Sequence, residues 1–333
     1  MRVAVIGVGR MGRHHVRNFF RLQKEGLVEL VAISDSVSKK RKIAEQYGCK
    51  FYIDYKKMIE DENLDAVSIA VPTSLHEKVT VDCLEKGINV LVEKPISYSL
   101  ESAERMVKTA KKNNVQLMVG HIERFNPAIQ KLKVMIKEKE LGEIISLDAK
   151  RLGIPKISDC GVILDLAIHD IDIMKYILQQ KVVSVYAVAK NEVTPNELED
   201  YANIILQFDK GTMGRIEASR LTPTKIRELF VTGTRAYCKL DYLEQQLELT
   251  QSFLSAKYNS WEDFQDFLKK FKPETKIIKE NNIEPLYLEL KAFVNAIKNK
   301  KPVESSGEEA LEALKIALAA IDSYRNGKII RLR

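Results

Sequence analysis

The chain has 333 residues, more than one ordinary hydrophobic core accommodates, and this length predicts two domains. Its composition, 45% apolar and 30% charged residues, is that of an ordered globular protein and excludes the disordered classes. The net charge of +7 would suit nucleic acid, but basic and acidic residues alternate along predicted helices, as in KEKELGE, which is typical of a solvated face. We therefore expect no nucleic-acid partner, and the modest positive excess fits an anionic small molecule.

The cysteines and the amino-terminal segment bear on the cellular compartment. Cys49, Cys83, Cys160 and Cys238 are far apart and form no CxxC pair, so we expect small buried side chains rather than zinc ligands or disulfides. The first residues, MRVAVIGVG, already read as a strand and a turn, which leaves no room for a signal peptide. Because no apolar run is long enough to span a bilayer, we expect a cytoplasmic protein without a membrane partner.

The first third of the chain alternates apolar, strand-like runs with helical segments. The strand-like runs are RVAVIGV, LVELVAISD, FYIDY, DAVSIAVP, INVLVEKP and QLMVGH. Six such runs separated by helices predict an α/β fold with a doubly wound parallel sheet of the Rossmann type. We place this dinucleotide-binding domain at residues 1–121.

The pattern changes after His121. Helices are predicted at 126–140 and 162–178, and closely spaced strand-like runs such as EIISLDAKRL, VVSVYAVAK, DYANIILQF and IRELFVTG predict a large open, mostly antiparallel sheet. Two helices close the chain, whereas residues 251–275 show no clear period. We place an α+β substrate-binding and oligomerisation domain at 122–333. Apolar residues remain for the second face of its sheet, so a homodimer or homotetramer is expected.

A glycine-rich turn follows the first strand. The sequence Gly7-Val8-Gly9-Arg10-Met11-Gly12 stands between a strand and a helix, the context in which GxGxxG binds a dinucleotide. The first glycine permits the tight turn, the second admits the pyrophosphate to the backbone, and the third lets helix and strand pack closely. The helix then directs its unpaired N–H groups towards the phosphates.

The end of the second strand indicates which dinucleotide binds. Asp35, with Ser36 beside it, lies roughly 20 residues after the glycines, where a carboxylate accepts hydrogen bonds from both ribose hydroxyls. A carboxylate there repels a 2′-phosphate, so NAD is favoured over NADP. Lys39, Lys40 and Arg41 are close enough in sequence to leave NADP as the alternative.

Two later strand ends should line the same cofactor groove. One is Val71-Pro72-Thr73, followed by His76, and the other is Glu93-Lys94-Pro95. Both are carboxyl ends of parallel strands, where ligands bind in open α/β sheets. On position alone, however, Lys94 is equally an ordinary surface lysine, and His76 is equally a residue that begins a helix.

The apolar helix GVILDLAIHDIDIM carries an unusual set of charged residues. Asp165, His169 and Asp172 have i, i+4, i+7 spacing, which places them on one helical face. Burying such groups unpaired costs roughly several kcal/mol, so this stripe predicts the wall of a substrate cavity. Asp170 falls off the stripe and should meet solvent or a basic partner. A metal site and a purely structural polar cluster are the alternatives; without a further ligand in view, we expect no metal.

Together these motifs resemble the Gfo/Idh/MocA family of sugar and polyol dehydrogenases. The resemblance covers essentially the whole chain and rests on GVGRMG, VPTSLH at 71–76, EKP at 93–95 and GVILDLAIHDID at 161–172. It implies that Lys94, Asp165 and His169 meet at the substrate beside the nicotinamide. The segment GHIERFNPAI at 120–129 further resembles the branch that oxidises the 3-hydroxyl of UDP-N-acetylglucosamine to a 3-keto product. A dehydrogenase of free sugars or inositol is the alternative, and a non-catalytic NAD-binding redox sensor is a more distant one.

Oxidation of an alcohol needs a group that accepts the hydroxyl proton. Histidine titrates near neutral pH, so His169 is predicted to be the general base. Asp165 would orient the imidazole or bind an adjacent hydroxyl, and Lys94 would stabilise the developing alkoxide. The reverse assignment, with Lys94 as the base, stays open.

A UDP-sugar would also require ligands for its pyrophosphate. Arg124, Lys150 and Arg151 follow the domain junction, and arginine offers bidentate geometry to phosphate. Asn126 either contacts the sugar or caps the helix that begins at Pro127.

Overall fold

The computed structural model describes residues 1–155, 159–193, 198–254 and 258–332. The contacts among its residues divide the chain into two units. The first consists of Met1–Phe125 and Ile283–Lys315, and the second of Asn126–Asn282 and Ile316–Arg333. The segment Ile283–Lys315 thus lies in the first unit, although the sequence-based boundary assigns it to the second domain.

The first unit contains a six-stranded parallel sheet flanked by helices. Its strands are β1 (Arg2–Ile6), β2 (Glu29–Ser34), β3 (Lys50–Tyr52), β4 (Ala66–Ile69), β5 (Asn89–Glu93) and β6 (Leu117–Gly120). The intervening helices are α1 (Arg10–Lys24), α2 (Arg41–Tyr47), α3 (Tyr55–Asp61), α4 (His76–Glu85) and α5 (Leu100–Lys112). The strand order β3-β2-β1-β4-β5-β6 reverses between β1 and β4, the point where dinucleotides bind in this fold. The predicted doubly wound parallel sheet is confirmed.

The second unit is built on a nine-stranded sheet. In chain order its first elements are α6 (Pro127–Lys137), β7 (Ile144–Leu152), α7 (Ile168–Leu178), β8 (Val182–Lys190), β9 (Tyr201–Phe208), β10 (Met213–Ser219) and β11 (Ile226–Gly233). Then come β12 (Ala236–Asp241), β13 (Gln246–Gln251), α8 (Trp261–Lys270) and β14 (Thr275–Lys279). The chain continues with α9 (Pro285–Lys298), which belongs to the first unit, and α10 (Gly307–Asn326), whose residues are divided between the two units, and then with β15 (Ile330–Arg331) of the nine-stranded sheet.

The nine strands are mostly antiparallel, as predicted. Their order is β14-β13-β12-β11-β7-β10-β9-β8-β15, and β7 with β10 forms the parallel pair. Two elements, α8 and β14, lie in or directly beyond the segment whose sequence shows no clear period. The predicted helix 162–178 begins with a π-helical turn, Ile163–Ala167, before α7 continues in α-helical geometry.

The core of the first unit explains why α9 joins it. Leu290 and Phe293 of α9 are fully buried in the same apolar cluster as Val16 and Phe19 of α1. Burial of each such side chain contributes roughly 1.5–3 kcal/mol relative to exposure, so α9 is part of this core although it follows α1 by more than 250 residues in the sequence. No helix among the described residues is both long and apolar enough to cross a bilayer.

Candidate functional site

Two of the three glycines in the glycine-rich turn are required by the fold, and the third has open space beside it. Gly7 has φ of +84°, and a Cβ there would lie 2.7 Å from the Ala70 carbonyl oxygen. A Cβ at Gly12 would lie 1.8 Å from the Gly7 carbonyl oxygen. At Gly9, in contrast, an added Cβ would have no atom within 4 Å. This open space lies at the start of α1, where a pyrophosphate approaches the backbone.

The amino terminus of α1 is suited to an anion. Gly9 is its N-cap, and no side chain caps the helix there, so its first N–H groups are left for a ligand. Arg10 is exposed and Met11 half-buried at the first turn. The residues present therefore fit the pyrophosphate of a dinucleotide.

Asp35 is oriented by the same turn. Its Oδ2 accepts a hydrogen bond from the Val8 backbone N–H at 2.9 Å, and its Oδ1 accepts one from Val37 at 2.9 Å. Each carboxylate oxygen keeps a further lone pair, which is what two ribose hydroxyls require. Ser36 beside it is exposed, and the Arg41 guanidinium lies 5.0 Å from the centroid of the Phe51 ring.

His76 connects the two predicted strand-end segments. Its ring is buried, with Nδ1 2.9 Å from the Pro95 carbonyl oxygen and Nε2 3.0 Å from that of Val71. Burial lowers the pKa of His76, and a neutral ring donates to only one of these two acceptors. Pro72 and Thr73 complete the loop after β4. His76 thus joins the loops after β4 and β5, and its predicted contact with the cofactor stays a prediction.

Glu93 and Lys94 lie at the end of β5, and a cis peptide joins Lys94 to Pro95. The Glu93 Oε1 lies 2.8 Å from His15 Nε2, and the other ring nitrogen of His15 lies 2.6 Å from the Ser68 hydroxyl. Burial raises the pKa of Glu93, but His15 and the nearby Lys94 outweigh this effect and leave the pKa below its ordinary value. Sequence reasoning missed His15; the only signal is its position three residues after Gly12.

In the second unit, Asp165 lies in the π-helical turn and pairs with an arginine that was not predicted. Its Oδ2 accepts a hydrogen bond from Arg220 Nη2 at 2.8 Å, and both side chains are buried. Arg220 directly follows β10 and also donates to the Cys160 carbonyl oxygen at 2.9 Å. Half-buried His169 follows in the first turn of α7. A π-turn contains more residues than an α-turn, so the i, i+4 spacing does not align Asp165 with His169 as a regular α-helix would.

Glu199 fixes the beginning of this helix. Its Oε1 accepts a hydrogen bond from the Ile163 backbone N–H at 3.0 Å, and its own carbonyl oxygen accepts one from Val162 at 2.9 Å. Burial raises the pKa of Glu199. A Cβ at Gly161 would lie 2.0 Å from the Glu199 carboxyl carbon, so the glycine that opens the motif is required for this contact.

The basic residues predicted to bind pyrophosphate have partners within their own units. Arg151 is buried and forms a bidentate pair with Asp170, with Nε–Oδ2 and Nη2–Oδ1 distances of 2.7 and 2.9 Å. Asp170 therefore meets a basic partner and not solvent. Buried Arg124 donates from Nη1 to the Glu304 carbonyl oxygen and to Glu309 Oε2. A phosphate at either arginine would have to replace these contacts.

Two further predicted residues have ordinary structural contacts. Asn126 caps α6: its Oδ1 accepts from the Ala128 N–H at 3.0 Å, and its Nδ2 donates to the Tyr242 carbonyl oxygen at 3.0 Å. The Lys150 ammonium lies 5.7 Å from the centroid of the Phe230 ring. Within the described ranges, no group of three or more His, Cys, Asp or Glu side chains is placed to hold a metal ion.

The structure brings together four of the residues predicted to bind the cofactor. Gly7, Gly12 and Val71 meet at the ends of β1 and β4, and Asp35 contacts the same turn. Of the predicted catalytic residues, Lys94 belongs to the first unit, whereas Asp165 and His169 belong to the second.

Comparison with known proteins covers nearly the whole chain. Residues 1–121 match the GFO_IDH_MocA model "Oxidoreductase family, NAD-binding Rossmann fold", and residues 133–332 match its companion, "Oxidoreductase family, C-terminal alpha/beta domain". The chain is 30% identical over 347 residues to scyllo-inositol 2-dehydrogenase (NAD(+)) of Bacillus subtilis, covering 100% of this chain and 96% of that protein.

A second relative acts on a nucleotide sugar. UDP-N-acetylglucosamine 3-dehydrogenase of Acidithiobacillus ferrooxidans is 28% identical over 321 residues, covering 96% of this chain and 95% of that protein. A solved structure of UDP-N-acetylglucosamine 3-dehydrogenase from the same organism superposes with a TM-score of 0.84 at 26% identity and covers 98% of both chains.

Proposed function

Because the chain belongs to the Gfo/Idh/MocA oxidoreductase family, we propose that it oxidises the 3-hydroxyl of UDP-N-acetylglucosamine to a 3-keto product, with NAD as cofactor. The observation that carries this proposal is similarity over nearly the full length, in sequence and in structure, to a UDP-N-acetylglucosamine 3-dehydrogenase. The segment GHIERFNPAI, which resembles the same branch, supports it.

A second candidate is a dehydrogenase of inositol or free sugars. The 30% identity to scyllo-inositol 2-dehydrogenase specifically favours it. A redox sensor without catalysis is set aside, since such a protein has no need of Lys94 together with Asp165 and His169.

The proposed chemistry assigns one task to each side chain. NAD, when bound, supplies the hydride acceptor. We assign to His169 the removal of the hydroxyl proton and to the Lys94 ammonium the stabilisation of the negative oxygen. Asp165, which has Arg220 as its cation, accepts a hydrogen bond from the imidazole or from a neighbouring hydroxyl. Replacing the general base should lower the rate on the order of 10²–10⁴-fold; near-full turnover in His169→Ala together with loss in Lys94→Ala would reverse the two roles.

The preference for NAD rests on Asp35. Its carboxylate is held by Val8 and Val37 in a position that suits ribose hydroxyls and repels a 2′-phosphate. Competitive titration with NADH and NADPH tests this preference, and tighter binding of NADPH would overturn it.

The substrate is tested with a panel. The protein is incubated with NAD and, separately, with UDP-N-acetylglucosamine, other UDP-sugars, scyllo- and myo-inositol, and free sugars, while NADH absorbance is followed. Turnover of UDP-N-acetylglucosamine above all others supports the proposal, and turnover of inositols or free sugars alone selects the second candidate. The same assay, applied to alanine variants, tests whether the substrate contacts Arg124, Asn126 or Arg151. Loss of such a contact should raise KM for the UDP-sugar more than for a free sugar.

We also propose a homodimer or homotetramer formed through the open face of the nine-stranded sheet. Tyr186, Val188, Ile205, Met213 and Tyr237 lie on one face of this sheet and are between 39% and 54% exposed. Exposed apolar side chains that share a sheet face, here with the Arg215–Asp148 ion pair among them, are a common site of self-association. Light scattering coupled to gel filtration gives the mass in solution. If wild type and the variant Ile205→Asp both had the mass of a single chain, the proposal would be contradicted.

A further inference from the structure

A buried chain of three polar side chains lies directly beneath the strand end that carries Lys94. The Ser68 hydroxyl is 2.6 Å from His15 Nδ1, and His15 Nε2 is 2.8 Å from Glu93 Oε1. The order serine, histidine, carboxylate is that of a hydrolytic triad. Ser68 and His15, however, are 0% exposed, so the serine cannot reach a substrate. The task of this chain must therefore concern its other end, at Glu93.

The charged and titratable groups around Glu93 define where its protons lie. Glu93 is faced by His15 of α1, His76 of α4, Lys94 and Glu289 of α9. Burial and the nearby Glu93 and Glu123 raise the pKa of Glu289 well above its ordinary value, whereas the pKa of Glu93 is lowered, so Glu93 is the one of the two carboxyl groups that ionises more readily. Because an ionised carboxylate only accepts, Nε2 of His15 is the donor in the contact with Glu93.

The same chain joins two parts of the cofactor site. His15 lies three residues after Gly12 on α1, whose first N–H groups fit a pyrophosphate. Glu93 directly precedes Lys94 and is packed against Gly120, where an added Cβ would lie 3.3 Å from the Glu93 carboxyl group. The Glu93 side chain thus has little room to adopt another position.

We propose that His15 is a positioning residue: by donating to Glu93 it keeps that carboxylate in place, and the charge of Glu93, the residue directly before Lys94, in turn holds the Lys94 ammonium in position at the end of β5. This inference rests on the proposed function, because it takes Lys94 to be catalytic. It goes beyond that function by giving α1 a second task, the support of the lysine, in addition to the binding of phosphate.

Two substitutions of His15 separate the two ends of the chain. The amide nitrogen of Gln can occupy the position of Nε2, so His15→Gln keeps the donor to Glu93. The shorter Asn places its amide near Nδ1, so His15→Asn keeps a contact to Ser68 and loses the donor to Glu93. Ser68→Ala is the control that removes only the far end, and Glu93→Gln removes the charge with little change of shape.

The first measurement is steady-state kinetics together with NADH binding. We expect His15→Asn and Glu93→Gln to lower kcat about 10²-fold, the loss typical of a misplaced catalytic group, while His15→Gln and Ser68→Ala stay near wild type. Affinity for NADH should change little in the His15 and Ser68 variants, because Gly9 and Asp35 are untouched. Equal losses in all four variants would show a general packing defect and overturn the proposal.

The second measurement needs no turnover. The rate of acetylation of Lys94 is followed by mass spectrometry at one fixed pH in the NADH complex, with the other lysines as internal references. A displaced Lys94 side chain should change its rate relative to those references severalfold in His15→Asn and Glu93→Gln, and not in His15→Gln. An unchanged relative rate in both His15→Asn and Glu93→Gln would overturn the inference. If the change occurs but no UDP-sugar is oxidised, the substrate proposal fails and the inference stands.

Discussion

Glu289 should destabilise the protein at neutral pH, and its replacement should raise the free energy of unfolding. The side chain is 0% exposed on α9, and both carboxyl oxygens lack a hydrogen-bond partner among the described residues. Burial raises its pKa well above 4.5, and the negative charges of Glu93 and Glu123 act in the same direction. The folded protein therefore keeps a proton that the unfolded chain releases.

The sign of the pH dependence follows from this difference. Below the unfolded pKa near 4.5 both states are protonated, and Glu289 contributes no pH dependence. As pH rises above that value, only the unfolded state ionises, so stability falls by up to about 1.4 kcal/mol per pH unit until the folded carboxyl also titrates. An unpartnered buried polar group adds a loss of about 1–3 kcal/mol that does not depend on pH.

Urea unfolding of the whole protein, followed at several pH values, measures both effects. Glu289→Gln should abolish the pH-dependent loss of stability, and Glu289→Met should also remove most of the pH-independent loss. The free energy of unfolding of Glu289→Met should therefore exceed that of wild type by more than about 1–3 kcal/mol at neutral pH. Glu104→Gln, on an exposed carboxylate of α5 with half of its side chain accessible, is the matched control and should change little. A variant Glu289→Met that is less stable than wild type at every pH would refute this reasoning, because it would mean that the carboxyl has a strong partner.

Three further changes test the candidate site. Arg220→Met removes the arginine that pairs with buried Asp165 and should lower stability by about 3–5 kcal/mol in urea unfolding. The control is Arg215→Met, at the Arg215–Asp148 pair, whose side chains are 44% and 36% exposed, and it should cost less than about 1 kcal/mol. Equal effects of the two substitutions would contradict the importance of the buried pair. Gly9→Ala should leave the melting temperature unchanged and weaken NADH binding roughly tenfold or more by calorimetry, whereas unchanged affinity would place the pyrophosphate elsewhere. Asp35→Ser should raise the NADPH-to-NADH affinity ratio roughly tenfold, and an unchanged ratio would remove Asp35 from cofactor selection.

Short-range patterns in the sequence predicted both sheets. The apolar runs RVAVIGV and DAVSIAVP and the glycines between strand and helix are local signals, and they correspond to β1, β4 and the turn before α1. For Asn126 the sequence left two roles open, contact with the sugar or capping of a helix, and the structure shows that it caps α6.

Contacts between distant residues could not be predicted in the same way. A basic residue in a strand looks the same whether it faces solvent or a carboxylate, so nothing marked Arg151 as the partner of Asp170 or Arg220 as the partner of Asp165. The sequence predicted α9 as one of two closing helices, but not against which element it packs. The π-helical turn at Asp165 had no signal either, because its residues are equally suited to an α-helix.

The split composition of the first unit has a consequence for synthesis of the chain. The apolar side of α1 is made early, whereas the helix that covers it, α9, leaves the ribosome only after residue 298. Until then, a nascent chain that already contains all six parallel strands exposes to water the side of α1 that α9 covers. The cofactor-binding half of the protein is thus completed near the end of translation, and a fragment that stops at residue 121 should be prone to aggregate.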